Sequence, residues 1–325
     1  MMVLVALVAL CQQQGYDYRQ GQGVVELATG KVRSPEEFLK FAIAEREAGR
    51  PESAVAALSL LATRIPDAAI RETAHFERAT TYYKAGAFYE AYHDFEGFIL
   101  KFPQSERVTA AKRMEMTSAL DLARVGKSTW LGLATTSGTG VDYLHDALRR
   151  YPHEDFAPDF LQKLGMFFYE RSEYDRATEE FTRVLEQYAE APESVLALYM
   201  LGRTAEVRFD AVDYDVKPLK DARRHYERFL EEADRMRRLS DQAKRWVDAL
   251  IPAVRERLGT VYERLLIKQL KTAEYYDWKG LPWSAEPFYL SILHDEATFR
   301  KVLPAFPETR ASKYARARLE ELSKK

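Results

Sequence analysis

The chain has 325 residues, 46% of them hydrophobic and 30% charged, and its formal net charge is −2. This composition is that of a globular protein long enough to build one large or two medium hydrophobic cores. A net charge so close to zero offers no basic field to nucleic acid. The single cysteine excludes both a disulfide framework within the chain and a metal site built from several cysteines.

An apolar run at the N-terminus ends at the only cysteine, Cys11. Residues 3–10 are all apolar, too few to cross a bilayer but enough for the apolar region of a secretory signal peptide. The run and its cysteine resemble the bacterial lipoprotein signal, which implies that Cys11 receives a lipid and becomes the mature N-terminus. We therefore expect a signal peptide over 1–10 and a lipid-anchor linker over 11–34. The alternative is an incidental cysteine in an N-terminal strand or helix turn.

Helical periodicity runs through the rest of the chain, and no segment alternates convincingly like a strand. A serine cap at Ser34, followed by Pro35 and two acidic residues, is a typical helix start. The apolar spacing predicts helices over 36–48, 53–64, 70–84, 89–101, 108–125, 159–171, 176–187, 194–209, 220–238, 241–277 and 310–323.

Short turns between these helices carry a repeated spacing. Gly, a small residue, a large apolar residue and Pro recur at offsets 0, +5, +9 and +17. The full pattern occurs as Gly49, Ala54, Leu58 and Pro66, and again as Gly86, Ala91, Phe95 and Pro103. Shorter versions occur at Ser172, Ala177 and Phe181, at Ala222 and Tyr226, and at Gly280, Ala285 and Tyr289. Glycine suits a left-handed cap after the first helix, and alanine lets the two helices of a hairpin approach closely.

These residues resemble the tetratricopeptide repeat, which implies an all-α, right-handed superhelix of about five helix hairpins with a capping helix at 310–323. We assign N-terminal repeats to 35–152, and C-terminal repeats with the capping helix to 153–325. The third repeat is irregular, because 26 residues separate Gly126 from Pro152 where other copies have 17. We interpret the Gly-, Ser- and Thr-rich residues 127–140 as an inserted loop.

The C-terminal third, read together with the lipoprotein-like leader, resembles the BamD family of outer-membrane β-barrel assembly lipoproteins. The resemblance is carried by an aspartate-containing loop at Asp213, a long helix with the pair Tyr275 and Tyr276, and a proline before the final helix. It implies a lipid-anchored scaffold, not an enzyme, at the periplasmic face of the outer membrane. Its partners would be other β-barrel assembly components, above all the barrel-inserting one, and unfolded outer-membrane proteins. An adaptor lipoprotein of a pilus, secretion or polysaccharide-export system is the alternative.

First helices of tetratricopeptide hairpins line the inner face of the array, which predicts a peptide-binding groove in the first two repeats. Exposed aromatic rings in such a groove could hold a peptide with an aromatic end. The alternative is that these rings pack under neighbouring helices. The groove residues are Leu39, Ile43, Phe76, Thr80, Tyr83 and Tyr89.

Two tryptophans, Trp278 and Trp283, flank the Gly280 turn of the last repeat. Tryptophans at such a turn most often pack the hairpin, but an exposed pair would be a hot spot for a partner protein.

No pattern in the sequence indicates catalysis, a cofactor or a metal. The six histidines include no pair spaced like the two ligands of a helical zinc site. The segment ending at Lys127, Ser128 and Thr129 resembles part of a phosphate-binding loop, but it lacks the first glycine and follows a predicted helix.

Overall fold

The computed structural model describes residues 15–126, 137–209 and 215–324, which form thirteen α-helices and one small sheet. The helices are α1 (Pro35–Glu47), α2 (Pro51–Arg64), α3 (Ala68–Lys84), α4 (Phe88–Lys101), α5 (Val108–Val125), α6 (Ser137–Arg150), α7 (Ala157–Glu170), α8 (Tyr174–Gln187), α9 (Glu193–Val207), α10 (Lys217–Arg237), α11 (Asp241–Trp278), α12 (Pro282–Val302) and α13 (Arg310–Leu322).

Consecutive helices pack as hairpins, and α13 packs on α11 and α12 to close the array. This confirms the predicted fold class, an all-α tetratricopeptide-type array with a C-terminal capping helix. The described helices pair as six hairpins. Short connections between packed neighbours force each pair to run antiparallel.

The predicted helix boundaries are formed by the expected residues. Ser34 caps α1 in a reciprocal capping box with Glu37, with proline in the first turn. Glycine takes the left-handed conformation after the first helix of three hairpins, as Gly49, Gly86 and Gly280. Ser172 adopts the same conformation at the equivalent turn, φ 61°, without being glycine.

The small and large residues of the repeat form the contacts between the two helices of each hairpin. All five pairs predicted from the spacing are fully buried: Ala54 with Leu58, Ala91 with Phe95, Ala177 with Phe181, Ala222 with Tyr226, and Ala285 with Tyr289. Glycines on the opposing helix make room for the largest rings. A Cβ on Gly165 would lie 2.5 Å from the Phe181 ring, and one on Gly202 would collide with the Tyr226 ring.

The third hairpin corrects the prediction of a loop over 127–140. Residues 137–140 form the first turn of α6, and residues 127–136 lie outside the described part of the chain. Gly140 contacts α5, and Leu144, four residues later, is fully buried. Gly140, Leu144 and Pro152 stand at offsets 0, +4 and +12, the same as Ala54, Leu58 and Pro66. The third hairpin therefore keeps the repeat from its small residue onward.

A three-stranded antiparallel sheet precedes α1, with β1 (Tyr16–Arg19), β2 (Gly23–Glu26) and β3 (Val32–Arg33) in that order. The sequence analysis expected a linker and no strand over this range, so the sheet is a feature that it missed. Val24 of β2 is buried in the core of the first hairpin, and Tyr16 contacts the ring of Phe38 at 5.0 Å. The sheet thus covers the end of that core.

The chain divides into two compact units between Ala157 and Pro158. In the first unit, one apolar cluster joins the sheet to the first hairpin, and a second cluster lies around Phe95 and Phe98. In the second unit, a cluster centred on Tyr226, Tyr262 and Tyr289 joins α9 through α13. Each unit therefore has its own hydrophobic core.

Candidate protein-interaction site

The six predicted groove residues are all half-buried, and they belong to different clusters. Leu39 packs against the core of the first hairpin. The hydroxyl of Thr80 donates a hydrogen bond to the carbonyl oxygen of Phe76, at 2.9 Å within its own helix. Ile43 lies on the same helix as Leu39, one turn further on. A single groove formed by all six residues stays a prediction.

Phe76 and Tyr83 lie together in the second apolar cluster. The ring of Phe76 meets those of Phe95 and Phe98 edge-on, at centroid distances of 5.8 and 5.5 Å. The hydroxyl of Tyr83 donates a hydrogen bond to Oδ2 of Asp121, at 2.8 Å. Burial, followed by this bond, raises the pKa of Tyr83 to about 12. Both rings make contacts between helices, as the packing alternative expects.

Tyr89 belongs to another aromatic cluster, where α4 meets α6. Its ring lies 4.6 Å from His93 and 6.0 Å from Tyr143, centroid to centroid. Tyr143 also stacks on Tyr92 at 4.4 Å with nearly parallel planes. This cluster ties the second hairpin to the third, so Tyr89 has a structural environment that differs from that of Phe76 and Tyr83.

A buried ion pair lies next to this aromatic cluster and was not found from the sequence. The side chain of Glu115 on α5 is fully buried, and Arg150 on α6 donates a short hydrogen bond to it. Arg150 also contacts Glu96 Oε1 at 2.9 Å and the hydroxyl of Tyr92 at 2.8 Å. Burial raises the pKa of the Glu115 carboxyl to about 7, although Arg150 acts in the opposite direction. This network joins three helices of the first unit.

Trp278 and Trp283 are among the most exposed large apolar side chains of the described residues, at 78% and 69%. Tyr275 and Leu290, which lie on the same two helices, are also exposed. Lys279 places its ammonium 5.4 Å from the Trp278 ring and 5.6 Å from the Tyr275 ring. We call Tyr275, Trp278, Trp283 and Leu290 the aromatic surface. The spacing predicted the position of the two tryptophans, and the structure places both at the surface.

The turn that carries the aromatic surface is held from beneath. Oδ2 of Asp277 accepts hydrogen bonds from the Tyr289 hydroxyl at 2.6 Å and from Nε of Arg318 at 2.8 Å. The neighbouring Tyr276 stacks on Phe288, with centroids 5.6 Å apart. Residues 276 and 277 therefore fix the end of α11 to α12 and α13, while Tyr275 and Trp278 face solvent. Such a preorganised surface loses less entropy when a partner binds.

Three other sequence predictions lie outside the described residues: the lipid-attachment residue Cys11, the phosphate-loop residue Lys127 and the loop residue Asp213. In the described ranges, no three His, Cys, Asp or Glu side chains come together in a way that could hold a metal ion. No helix in that part of the chain is both long and apolar enough to cross a membrane.

No protein-family model matches the sequence, and no curated protein matches it either. Among solved structures, it is similar to a tetratricopeptide repeat protein from Parabacteroides merdae, with 11% identity and a TM-score of 0.36 over 83% of this chain and 97% of that chain. It is also similar to the C-terminal part of a TPR repeat-containing protein from Cytophaga hutchinsonii, with 15% identity and a TM-score of 0.34 over 83% of this chain and 100% of that chain. Both scores are too low to carry an argument, so the fold assignment rests on the hairpin packing itself.

Proposed function

We propose that this protein is a lipid-anchored periplasmic scaffold for the assembly and insertion of outer-membrane β-barrels. In this proposal, the C-terminal unit holds the barrel-inserting component through the aromatic surface. The N-terminal hairpins bind unfolded barrel precursors, and Cys11 carries the lipid. The observation that carries the proposal is the exposed pair Trp278 and Trp283 on a rigid turn.

The physical chemistry of the aromatic surface favours a protein partner. A tryptophan side chain buries roughly 150–250 Å² in an interface, and tryptophan is enriched among residues that cost about 2 kcal/mol or more when truncated. Charges around the surface are mixed, with Lys279 on the turn and Glu274 and Glu286 one helical turn from the tryptophans. Such mixed charge gives no preference for an anionic lipid surface.

Removing both indoles is expected to abolish partner recovery. We predict that Trp278→Ala combined with Trp283→Ala lowers the yield of crosslinked partners in the native envelope at least about tenfold, because two anchors are lost. The measurement is crosslinking followed by mass-spectrometric identification of partners. Leu100→Ala is the matched control, since Leu100 is 75% exposed but lies in the other unit. Unchanged recovery by the double variant would refute a role for the aromatic surface.

Depletion of the protein separates barrel assembly from the adaptor alternative. Loss of many unrelated β-barrels from the outer membrane would support the proposal, because an assembly scaffold serves every barrel. Loss of one pilus, secretion or export structure, with normal barrels, would support the adaptor instead.

Cys11→Ala is expected to release the protein from the membrane fraction, because the lipid has no other thiol to attach to. Intact mass provides the direct measurement: the mature wild-type protein should begin at Cys11 and carry a diacylglyceryl group. Gln14→Ala serves as a control and should remain lipidated. A mature protein that begins upstream of Cys11 without lipid would disprove the anchor and leave the aromatic surface unaffected.

A further inference from the structure

A cavity of about 440 Å³ opens in the second unit beside the long helix α11. Its apolar lining comes from Leu303, Ala305 and Phe306, which follow the end of α12. On the α11 side the lining includes Gly259, which has no side chain to occupy the space. A Cβ at Gly259 would meet only Leu303 Cδ2, at 3.7 Å. This volume lies within the range of pockets that hold small ligands or side chains.

The cavity continues along an exposed face of α11 towards the aromatic surface. Glu256, Glu263, Glu274 and Trp278 are separated by 7, 11 and 4 residues and are all exposed. At about 100° per residue, these spacings place the four side chains within about 60° of one another around the helix. The face from Gly259 to Trp278 is about 28 Å long at about 1.5 Å per residue. One face thus joins an apolar cavity to an exposed indole.

The charges along this face are unbalanced. Glu256, Glu263 and Glu274 form no ion pair with any residue in the described part of the chain. Arg255 and Arg310 also line the cavity, together with Glu308, which pairs with Arg316. The cavity itself therefore holds charges of both signs, and the excess of negative charge lies further along α11. A partner that fits this distribution has an apolar anchor followed by positive charges.

We propose that the exposed face of α11 from Gly259 to Trp278 is a docking strip for a basic amphipathic segment of a partner protein. The segment places an apolar side chain in the cavity over Gly259. Its lysine or arginine side chains pair with Glu263 and Glu274, and one cation stacks on the Trp278 indole. This inference rests on the proposed scaffold function and specifies the chemistry of the partner.

Synthetic peptides test the docking strip directly. The probe is a peptide of about twelve residues, long enough when extended to span the strip, with a central Leu-Phe pair and lysines on both sides. A second peptide carries glutamate in place of every lysine. Calorimetric titration into the wild-type protein should show binding of the lysine peptide only. The affinity should fall as sodium chloride is raised from about 50 to about 500 mM.

Two variants separate the charges from the cavity. Glu263→Gln combined with Glu274→Gln should weaken binding of the lysine peptide by about three- to thirtyfold, because two exposed ion pairs are lost. Gly259→Leu should weaken it at least about tenfold by filling the cavity. The matched control is Glu179→Gln combined with Glu186→Gln, since these exposed glutamates lie seven residues apart on α8 of the same unit. Circular dichroism confirms that each variant is folded.

Several outcomes would overturn the inference. These are no binding of the lysine peptide, equal binding of the glutamate peptide, or equal weakening by the control on α8. Crosslinking distinguishes this failure from failure of the proposed function. If the Trp278 and Trp283 double variant loses its partners while the Glu263 and Glu274 double variant keeps them, the strip is wrong and the scaffold stands. If neither variant loses partners, the proposed function fails as well.

Discussion

Arg150→Met is expected to lower the free energy of unfolding of the first unit by about 3–5 kcal/mol. The reason is the position of its partner: the side chain of Glu115 is fully buried, and its second carboxylate oxygen has no hydrogen-bond partner within the chain. Removing the guanidinium leaves a buried carboxyl without its cation and also removes a hydrogen bond to the Tyr92 hydroxyl. Urea unfolding followed by circular dichroism measures the loss.

Arg149→Met is the matched control for this experiment. Arg149 is the preceding residue on the same helix, but its side chain and that of its partner Asp146 are both largely exposed. Exposed ion pairs contribute about 0–1 kcal/mol, so this variant should behave nearly like the wild type. Equal losses for the two variants would show that Glu115 is not stabilised by Arg150.

The dependence on pH provides a second readout. The pKa of Glu115 in the folded protein is about 7, above its ordinary value of 4.5, so protonation of this carboxyl favours the folded state. Its contribution to stability is fully present below pH 4.5 and is lost as the pH rises through about 7. Because Arg150 lowers this pKa, its removal raises the pKa further, and the deficit of Arg150→Met should be largest above pH 7. Glu115→Gln should remove this part of the pH dependence.

The contrast between Glu115 and the repeat residues shows what the sequence could predict. Ala91 and Phe95 are four residues apart, so their spacing alone indicates a helix face that packs closely on its neighbour. The burial of Glu115 depends on Arg150, which lies 35 residues further along the chain. No local pattern encodes that pairing, since a glutamate in the middle of a helix is usually solvated.

The candidate site divides in the same way. The spacing placed Trp278 and Trp283 on either side of a turn, but their exposure depends on how Asp277 and Tyr276 are fixed to α12 and α13. The cavity beside α11 needs both Gly259 and Leu303, which are 44 residues apart. The sheet was missed because its strands are only two to four residues long and too short to show alternation.

Residues 137–140 show how composition can mislead. The sequence Ser-Gly-Thr-Gly has the composition of a loop, and measuring from Gly126 made the third repeat look expanded. Measured from Gly140, the offsets to Leu144 and Pro152 match those of the first two hairpins. Glycine here takes the place of the small alanine, because α5 and α6 cross even more closely than the other pairs.

Gly140→Ala is therefore expected to destabilise the first unit by about 3 kcal/mol, the upper part of the range for overpacking. A Cβ at this position would lie 2.7 Å from the carbonyl oxygen of Ala119 and would also collide with the backbone nitrogen of Ala123. Both atoms belong to the backbone of α5, which cannot yield as the end of a side chain can. Thermal unfolding of the variant measures the loss.

Gly97→Ala makes the same chemical change in open space and should have the opposite sign. Gly97 lies inside α4, and a Cβ there would meet nothing within 4 Å. Alanine favours a helix over glycine by about 1 kcal/mol, so this variant should be slightly more stable than the wild type. If Gly140 were part of a loop, Gly140→Ala would be nearly neutral. The difference between the two substitutions therefore measures the closeness of the α5–α6 crossing, separately from the helix propensity that both share.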